Sequence, residues 1–90
     1  MGQLIAVDRG DGMGCYFAAD TMTRELVGEV IPSDYSPGNY RAGVLIPGRG
    51  LMFVKAFRGS ESLVDLTQVG TEDFTTIQEA LAAISRNRLH

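Results

Sequence analysis

The stretch RGDGMG, residues 9–14, carries the residue types best suited to chemistry in this chain. Its alternate glycines leave backbone N–H groups free to cradle a phosphate, as glycine-rich nucleotide loops do. Its first three residues spell the adhesion tripeptide Arg-Gly-Asp. A glycine-rich run between two apolar segments is also typical of a plain hairpin turn. The elements on either side of the loop decide between these interpretations.

A dinucleotide-binding loop joins a strand to a helix, and its third glycine stands three positions after the second. Here that position is Cys15, and the run that follows, CYFAA, is typical of a strand. The Gly-Lys-Ser or Gly-Lys-Thr of a P-loop does not occur. The sequence therefore predicts a hairpin loop whose glycines supply positive φ angles, with an incidental Arg-Gly-Asp.

Other groups with catalytic potential are few. Asp8 and Asp11 flank a turn and are candidates for an acid–base pair or a cation site, although two carboxylates near a loop are more often solvated turn residues. Cys15 lies in a strand-like run, where a thiol packs as a small hydrophobe. The single histidine is His90, so no Ser-His, Cys-His or multi-His set can be assembled. We expect no catalysis, no metal and no cofactor.

The charge balance limits the class of partner. Eight basic and eleven acidic residues give a net charge of −3, which argues against the broad positive surface that binding to duplex nucleic acid requires. No segment has the pattern of a secretory signal or of a membrane span, and the lone cysteine allows no internal disulfide. These features indicate a cytoplasmic protein.

Six runs rich in strand-forming residues are separated by polar or glycine-rich turns: Gln3–Asp8, Cys15–Ala19, Glu25–Ile31, Tyr40–Ile46, Leu51–Arg58 and Leu63–Val69. The fourth and fifth runs form a predicted hairpin around Pro-Gly-Arg-Gly. In the third run, Leu26 and Val30 are predicted to share one face.

After Gly70 the apolar period changes. Residues 74, 77, 81 and 84 are apolar at spacings of three and four, which predicts a helix over Asp73–Arg86 with Thr71 or Asp73 as its N-cap. Its apolar stripe, Phe74, Ile77, Leu81 and Ile84, must pack on the sheet. The predicted fold class is α+β, an antiparallel β meander of five to six strands packed by one C-terminal α-helix, in a single domain over residues 1–90.

One helix of about 14 residues is about 21 Å long and cannot cover five or six strands that lie about 4.8 Å apart. In the fifth run, apolar residues occupy both faces: Leu51, Phe53 and Phe57 on one, Met52, Val54 and Ala56 on the other. We predict a homodimer through the uncovered face, with Phe53 or Val54 at the interface, whichever points outward. The alternative is a sheet that curls onto itself.

Aromatic and arginine side chains in or beside loops are enriched at binding hot spots, and they make up the predicted binding residues: Tyr35, Tyr40, Arg41, Arg49 and Arg58. The alternative is that the tyrosines cover the hydrophobic core and the arginines keep the protein surface soluble. The leading hypothesis is a small non-enzymatic protein-interaction module that occupies a partner's surface. The alternative function is binding of a small anionic metabolite or nucleotide.

Strand hairpins followed by a C-terminal helix also occur in short phage and mobile-element accessory proteins, including inhibitors of bacterial defence. The likeness is one of size and architecture, and no motif of this chain marks a family. It implies an accessory or inhibitor protein without assigning a role to any residue.

Overall fold

The computed structural model describes residues 3–65 and 73–88 of the 90-residue chain. Its elements are β1 (Leu4–Asp8), β2 (Tyr16–Asp20), β3 (Leu26–Pro32), β4 (Tyr40–Ile46), β5 (Gly50–Phe57), β6 (Ser60–Val64) and α1 (Ile77–Asn87). Consecutive strands pair antiparallel, so the sheet has the order β1-β2-β3-β4-β5-β6. The predicted α+β meander with one C-terminal helix is confirmed.

The core lies between α1 and one face of the sheet. The helix buries Ala80, Leu81, Ala83 and Ile84 against side chains that alternate along the strands, among them Ala18, Val30, Ala42, Val44 and Val54. A Cβ at Gly28 would overlap the carbonyl oxygen of Gly43 and would lie 3.3 Å from Cγ2 of Ile84. Glycine at position 28 therefore permits the close approach of β4 and the helix to β3.

A β-bulge in β3 changes which residues face the core. Ala18 pairs with Gly28 and Ala19 pairs with Leu26, so Val27 is the extra residue. Val27 packs against the core, whereas Leu26 is 49% exposed. The prediction that Leu26 and Val30 share a face is therefore wrong, because the extra residue reverses the alternation between them.

The helix begins later than its apolar pattern predicts. Phe74 exchanges two backbone hydrogen bonds with Tyr40, of 2.8 and 2.7 Å, and so enters the core from an extended segment. Thr76 is the N-cap, and its Oγ1 accepts a hydrogen bond from the backbone N–H of Glu79 at 3.1 Å. Of the predicted caps, Asp73 precedes the Phe74 bridge and Thr71 lies outside the described residues.

The sixth strand also differs from its prediction. It starts at Ser60, and only Leu63 and Val64 of the predicted run belong to it, while residues 66–69 lie outside the described part of the chain. In that described part, no helix is both long and apolar enough to cross a membrane.

Candidate functional site

The loop between β1 and β2 is a hairpin turn held by its own polar groups. Its three glycines have φ angles of 78°, 73° and 75°. Oδ1 of Asp8 accepts a hydrogen bond from the N–H of Gly10 at 2.7 Å, and Oδ1 of Asp11 accepts one from the N–H of Met13 at 3.1 Å. Because β2 follows the loop, there is no helix N-terminus here to hold a phosphate.

Arg9 connects this loop to β3. Its Nη1 donates to Oε1 of Glu29 at 2.9 Å, and its Nη2 is paired with Asp11. The Glu29 hydrogen bond, with help from Asp11, raises the pKa of Arg9. The N–H of Met13 and the Arg9 guanidinium lower the pKa of the Asp11 carboxyl. The charged groups of the Arg-Gly-Asp tripeptide are thus paired with groups of the same chain.

No metal or thiol site is found near this loop. Within residues 3–65 and 73–88, no three His, Cys, Asp or Glu side chains cluster closely enough to hold a metal ion. Cys15 is a free, buried cysteine, as expected for a thiol that packs as a small hydrophobe. Its burial gives an incoming substrate little access to the sulfur.

Three of the five predicted binding residues lie in the loop before β4 or at the start of that strand. Tyr35, in the loop between β3 and β4, is 82% exposed. Tyr40 opens β4 and packs partly against the core. Arg41 follows it, with Nη2 at 2.9 Å from Oδ1 of Asp34 and Nε at 3.8 Å from Oδ1 of Asp73. Arg41 therefore joins the loop to the segment that leads into α1.

The other two predicted residues do not complete a single site. Arg49 lies in the turn between β4 and β5, a strand's length away from Tyr40. Arg58 lies in the turn between β5 and β6 with a φ of 53°, at the Tyr40 end of the sheet because β5 runs antiparallel to β4. The five residues are thus distributed over both ends of the sheet.

The predicted dimer residues lie on opposite faces, as alternation requires. Val54 is wholly buried in the core beneath α1, which leaves Phe53 as the outward residue of the pair. Phe53 is itself only 2% exposed. Both side chains are thus buried within one chain. The interface at these two residues and self-association itself stay predictions.

The face opposite α1 exposes a band of aliphatic side chains. Val7, Leu45, Ile5 and Leu26 are 41%, 43%, 48% and 49% exposed although all four lie on strands. The half-buried Phe17 is the cross-strand partner of Val7. We define the outer patch as Ile5, Val7, Phe17, Leu26 and Leu45.

A groove of about 450 Å³ adjoins the outer patch and is lined in part by Leu26, Leu45 and Arg88. Nη1 of Arg88 donates to Oδ2 of Asp20 at 2.8 Å, and the two side chains are 12% and 2% exposed. Since a buried carboxylate already neutralises Arg88, this arginine is poorly placed to attract an anionic ligand into the groove.

Comparison with known protein families, with curated proteins and with solved structures finds no match to this chain. The outer patch is the surface feature that the sequence analysis did not anticipate. It was not identified from the sequence because its members are ordinary strand residues. The available signal was β1 itself, where Ile5 and Val7 alternate with Leu4 and Ala6, so that both faces are apolar.

Proposed function

We propose that the protein is a non-enzymatic interaction module that binds a protein partner through the outer patch. The main support for this proposal is the exposure of four aliphatic side chains on the sheet face that α1 does not cover. Monomeric proteins rarely leave contiguous apolar patches larger than a few hundred Å² exposed. Removing apolar surface from water gains about 25 cal/mol per Å², before the entropic cost of association is subtracted.

Glu29 gives this face a polar feature that helps to define the partner. It lies between Phe17 and Gly43 in the strand register and holds Arg9 at 2.9 Å. An ion pair covered by an apolar surface loses water contacts, so its free hydrogen-bonding atoms need replacement partners. We infer that the bound protein is apolar around a polar group that faces the Arg9–Glu29 pair.

Binding of this kind acts by occupying a surface of the partner, as an inhibitor or an accessory subunit does. It requires no nucleophile, metal or bound cofactor in this chain. A free, buried thiol at Cys15 suits a reducing compartment, and we place the interaction in the cytoplasm.

The test compares two lysine substitutions as baits in an affinity capture from the native host, with the captured proteins quantified by mass spectrometry. Leu45→Lys places a charge in the outer patch, whereas Met22→Lys places the same charge on a turn residue that is 73% exposed. We expect a partner that is retained by the wild type and by Met22→Lys and is lost with Leu45→Lys. Circular dichroism checks that both variants are folded.

Capture of the same proteins, in the same amounts, by all three baits would contradict the proposal. Loss of the partner with Met22→Lys alone would indicate that the binding surface lies at the turn between β2 and β3.

A further inference from the structure

β1 is an edge strand, because it pairs only with β2 in the strand order of the sheet. The N–H of Thr21 donates to the carbonyl of Gln3 at 2.9 Å, and the N–H of Arg9 donates to the carbonyl of Cys15 at 3.2 Å. In an antiparallel ladder hydrogen-bonded and non-hydrogen-bonded pairs alternate, so the odd-numbered residues of β1 bond to β2. The N–H and C=O groups of the even-numbered residues, Leu4, Ala6 and Asp8, therefore point to the open edge.

This edge has little of the usual protection against pairing with another strand. The sequence of β1, LIAVD, contains no proline and no lysine, and its register with β2 is regular. Its one charged residue, Asp8, is the last of the strand, and its carboxylate accepts a hydrogen bond from the N–H of Gly10 at 2.7 Å. The opposite edge strand, β6, differs because it carries Glu61 turned toward the helix. That carboxylate accepts two hydrogen bonds from Arg86, both of 2.9 Å.

We propose that β1 pairs antiparallel with β1 of a second copy of this chain, about a twofold axis at Ala6, so that two sheets join into one. This register sets Ala6 opposite Ala6 and Leu4 opposite Asp8 of the second copy. It pairs every backbone group that β1 points outward. A register centred on Ile5 or on Val7 would leave Asp8 or Leu4 outside the strand pairing. The interface goes beyond the partner-binding function and does not depend on it.

The same register matches the side chains on the outer face. Ile5 lies opposite Val7 of the second copy at a non-hydrogen-bonded position, where Cβ atoms are about 4.5–5.5 Å apart. Contacts between β-branched side chains at such positions stabilise a sheet. The pairing brings Ile5 and Val7, now 48% and 41% exposed, into side-by-side contact across the interface and joins the two outer patches as one apolar face.

Among the described residues, the groups nearest to the axis neither obstruct nor repel this pairing. The residue at the axis on the helix face is Ala6, and α1 turns the uncharged Gln78, Ala82 and Ser85 toward the groove beside β1. The two copies of Asp8 are four residues apart along the paired strands, about 14 Å at about 3.4 Å per residue. That separation exceeds the Debye length of about 8 Å at physiological salt.

Two double variants test the pairing by sedimentation at micromolar concentration. We expect the wild type to have a mass near twice 9.7 kDa. Ile5→Lys with Val7→Lys sets lysine opposite lysine and should give a monomer. Ile5→Lys with Val7→Glu sets lysine opposite glutamate and should restore the dimer. Both variants lose the same apolar side chains, so a difference between them reports the charges that meet across the interface.

A cross-linking experiment tests the register independently, with Cys15→Ser as the background. When Ile5→Cys and Val7→Cys proteins are mixed and oxidised, we expect a covalent dimer that neither protein forms alone. A disulfide formed by Ile5→Cys alone or by Val7→Cys alone would show that the twofold axis lies at another residue and would overturn the proposed register. A monomeric wild type, equal masses for the two charged variants, or no cross-link in the mixture would overturn the interface.

The variant Leu45→Lys separates this proposal from the partner-binding function. It should remain dimeric, because Leu45 lies on β4 and not at the β1 edge. Loss of the dimer with Leu45→Lys would assign self-association to the outer patch and would contradict pairing through β1.

Discussion

At the scale of single residues, Asp20 joins parts of the chain that are far apart in sequence. Its side chain is 2% exposed, its Oδ1 accepts hydrogen bonds from the N–H groups of Met22 and Thr23 at 2.8 and 3.1 Å, and its Oδ2 accepts one from Arg88. One carboxylate therefore shapes the turn between β2 and β3 and anchors the end of α1. The Arg88 hydrogen bond, followed by the two backbone N–H groups, lowers the pKa of Asp20.

We expect Asp20→Asn to lower the melting temperature at pH 7, because the amide would present a donor to Arg88. A pKa below the ordinary value of 3.8 means that folding favours the charged carboxylate. The stabilisation from Asp20 is then fully present above pH 3.8 and is lost as the pH falls through the lowered pKa. The melting temperatures of wild type and variant, measured against pH, should converge in that acidic range.

Asp34→Asn is the matched control for this pH dependence. Asp34 also pairs with an arginine, but its side chain is 85% exposed, so its removal should have little effect at any pH. A constant difference between Asp20→Asn and the wild type down to the acidic limit would show that the carboxylate charge is not the stabilising feature.

At the scale of elements, the helix is held to the sheet by a narrow apolar stripe. Leu81 is 5% exposed, and Ala80, Ala83 and Ile84 are fully buried beside it. The small side chains at 80 and 83 bring the helix close to the strands. Leu81 and Ile84 consequently provide most of the apolar volume that α1 buries.

Leu81→Ala should therefore reduce the free energy of unfolding by about 2–5 kcal/mol, the cost of a large-to-small change at a buried site. Gln78→Ala, one turn earlier on an exposed position, should change it by less than about 0.5 kcal/mol. Urea denaturation followed by circular dichroism measures both. A loss below about 0.5 kcal/mol for Leu81→Ala would contradict the packing of this stripe on the sheet.

At the scale of the whole molecule, the sheet has one face closed by α1 and one face with exposed aliphatic side chains. On this asymmetry we base the proposal of a protein partner rather than a small anionic ligand. The arginines nearest to the groove and the opening loop, Arg88 and Arg9, are each bound to carboxylates of the same chain. An anion would have to compete with those carboxylates.

A thermal-shift panel of carboxylates, phosphates and nucleotides should consequently leave the melting temperature unchanged. A true ligand at a hundredfold excess over its dissociation constant would stabilise the fold by about 2.7 kcal/mol. Sodium chloride at matched ionic strength controls for general salt effects. A saturable rise with one compound would favour the ligand-binding alternative over the interaction module.

The order of strands and helix is predictable from the sequence because it depends on local patterns. Period-two alternation and glycine-rich turns define the hairpins, and the change of period after Gly70 marks the helix. The loop at residues 9–14 is predictable for the same reason, since its three glycines precede a strand and adopt positive φ angles. Alternation also predicts that Phe53 and Val54 point to opposite faces.

Only the tertiary structure decides the features that depend on contacts between distant segments. Phe74 fits the helical period, yet Tyr40 at the start of β4 offers it backbone hydrogen-bond partners, and α1 starts at Ile77. The bulge at Val27 is a feature of the pairing between β3 and β2, and it turns Leu26 outward. The outer patch is exposed because α1 packs on the other face of the sheet. No local pattern predicts which face the helix covers, because both faces of β1 and β5 are apolar.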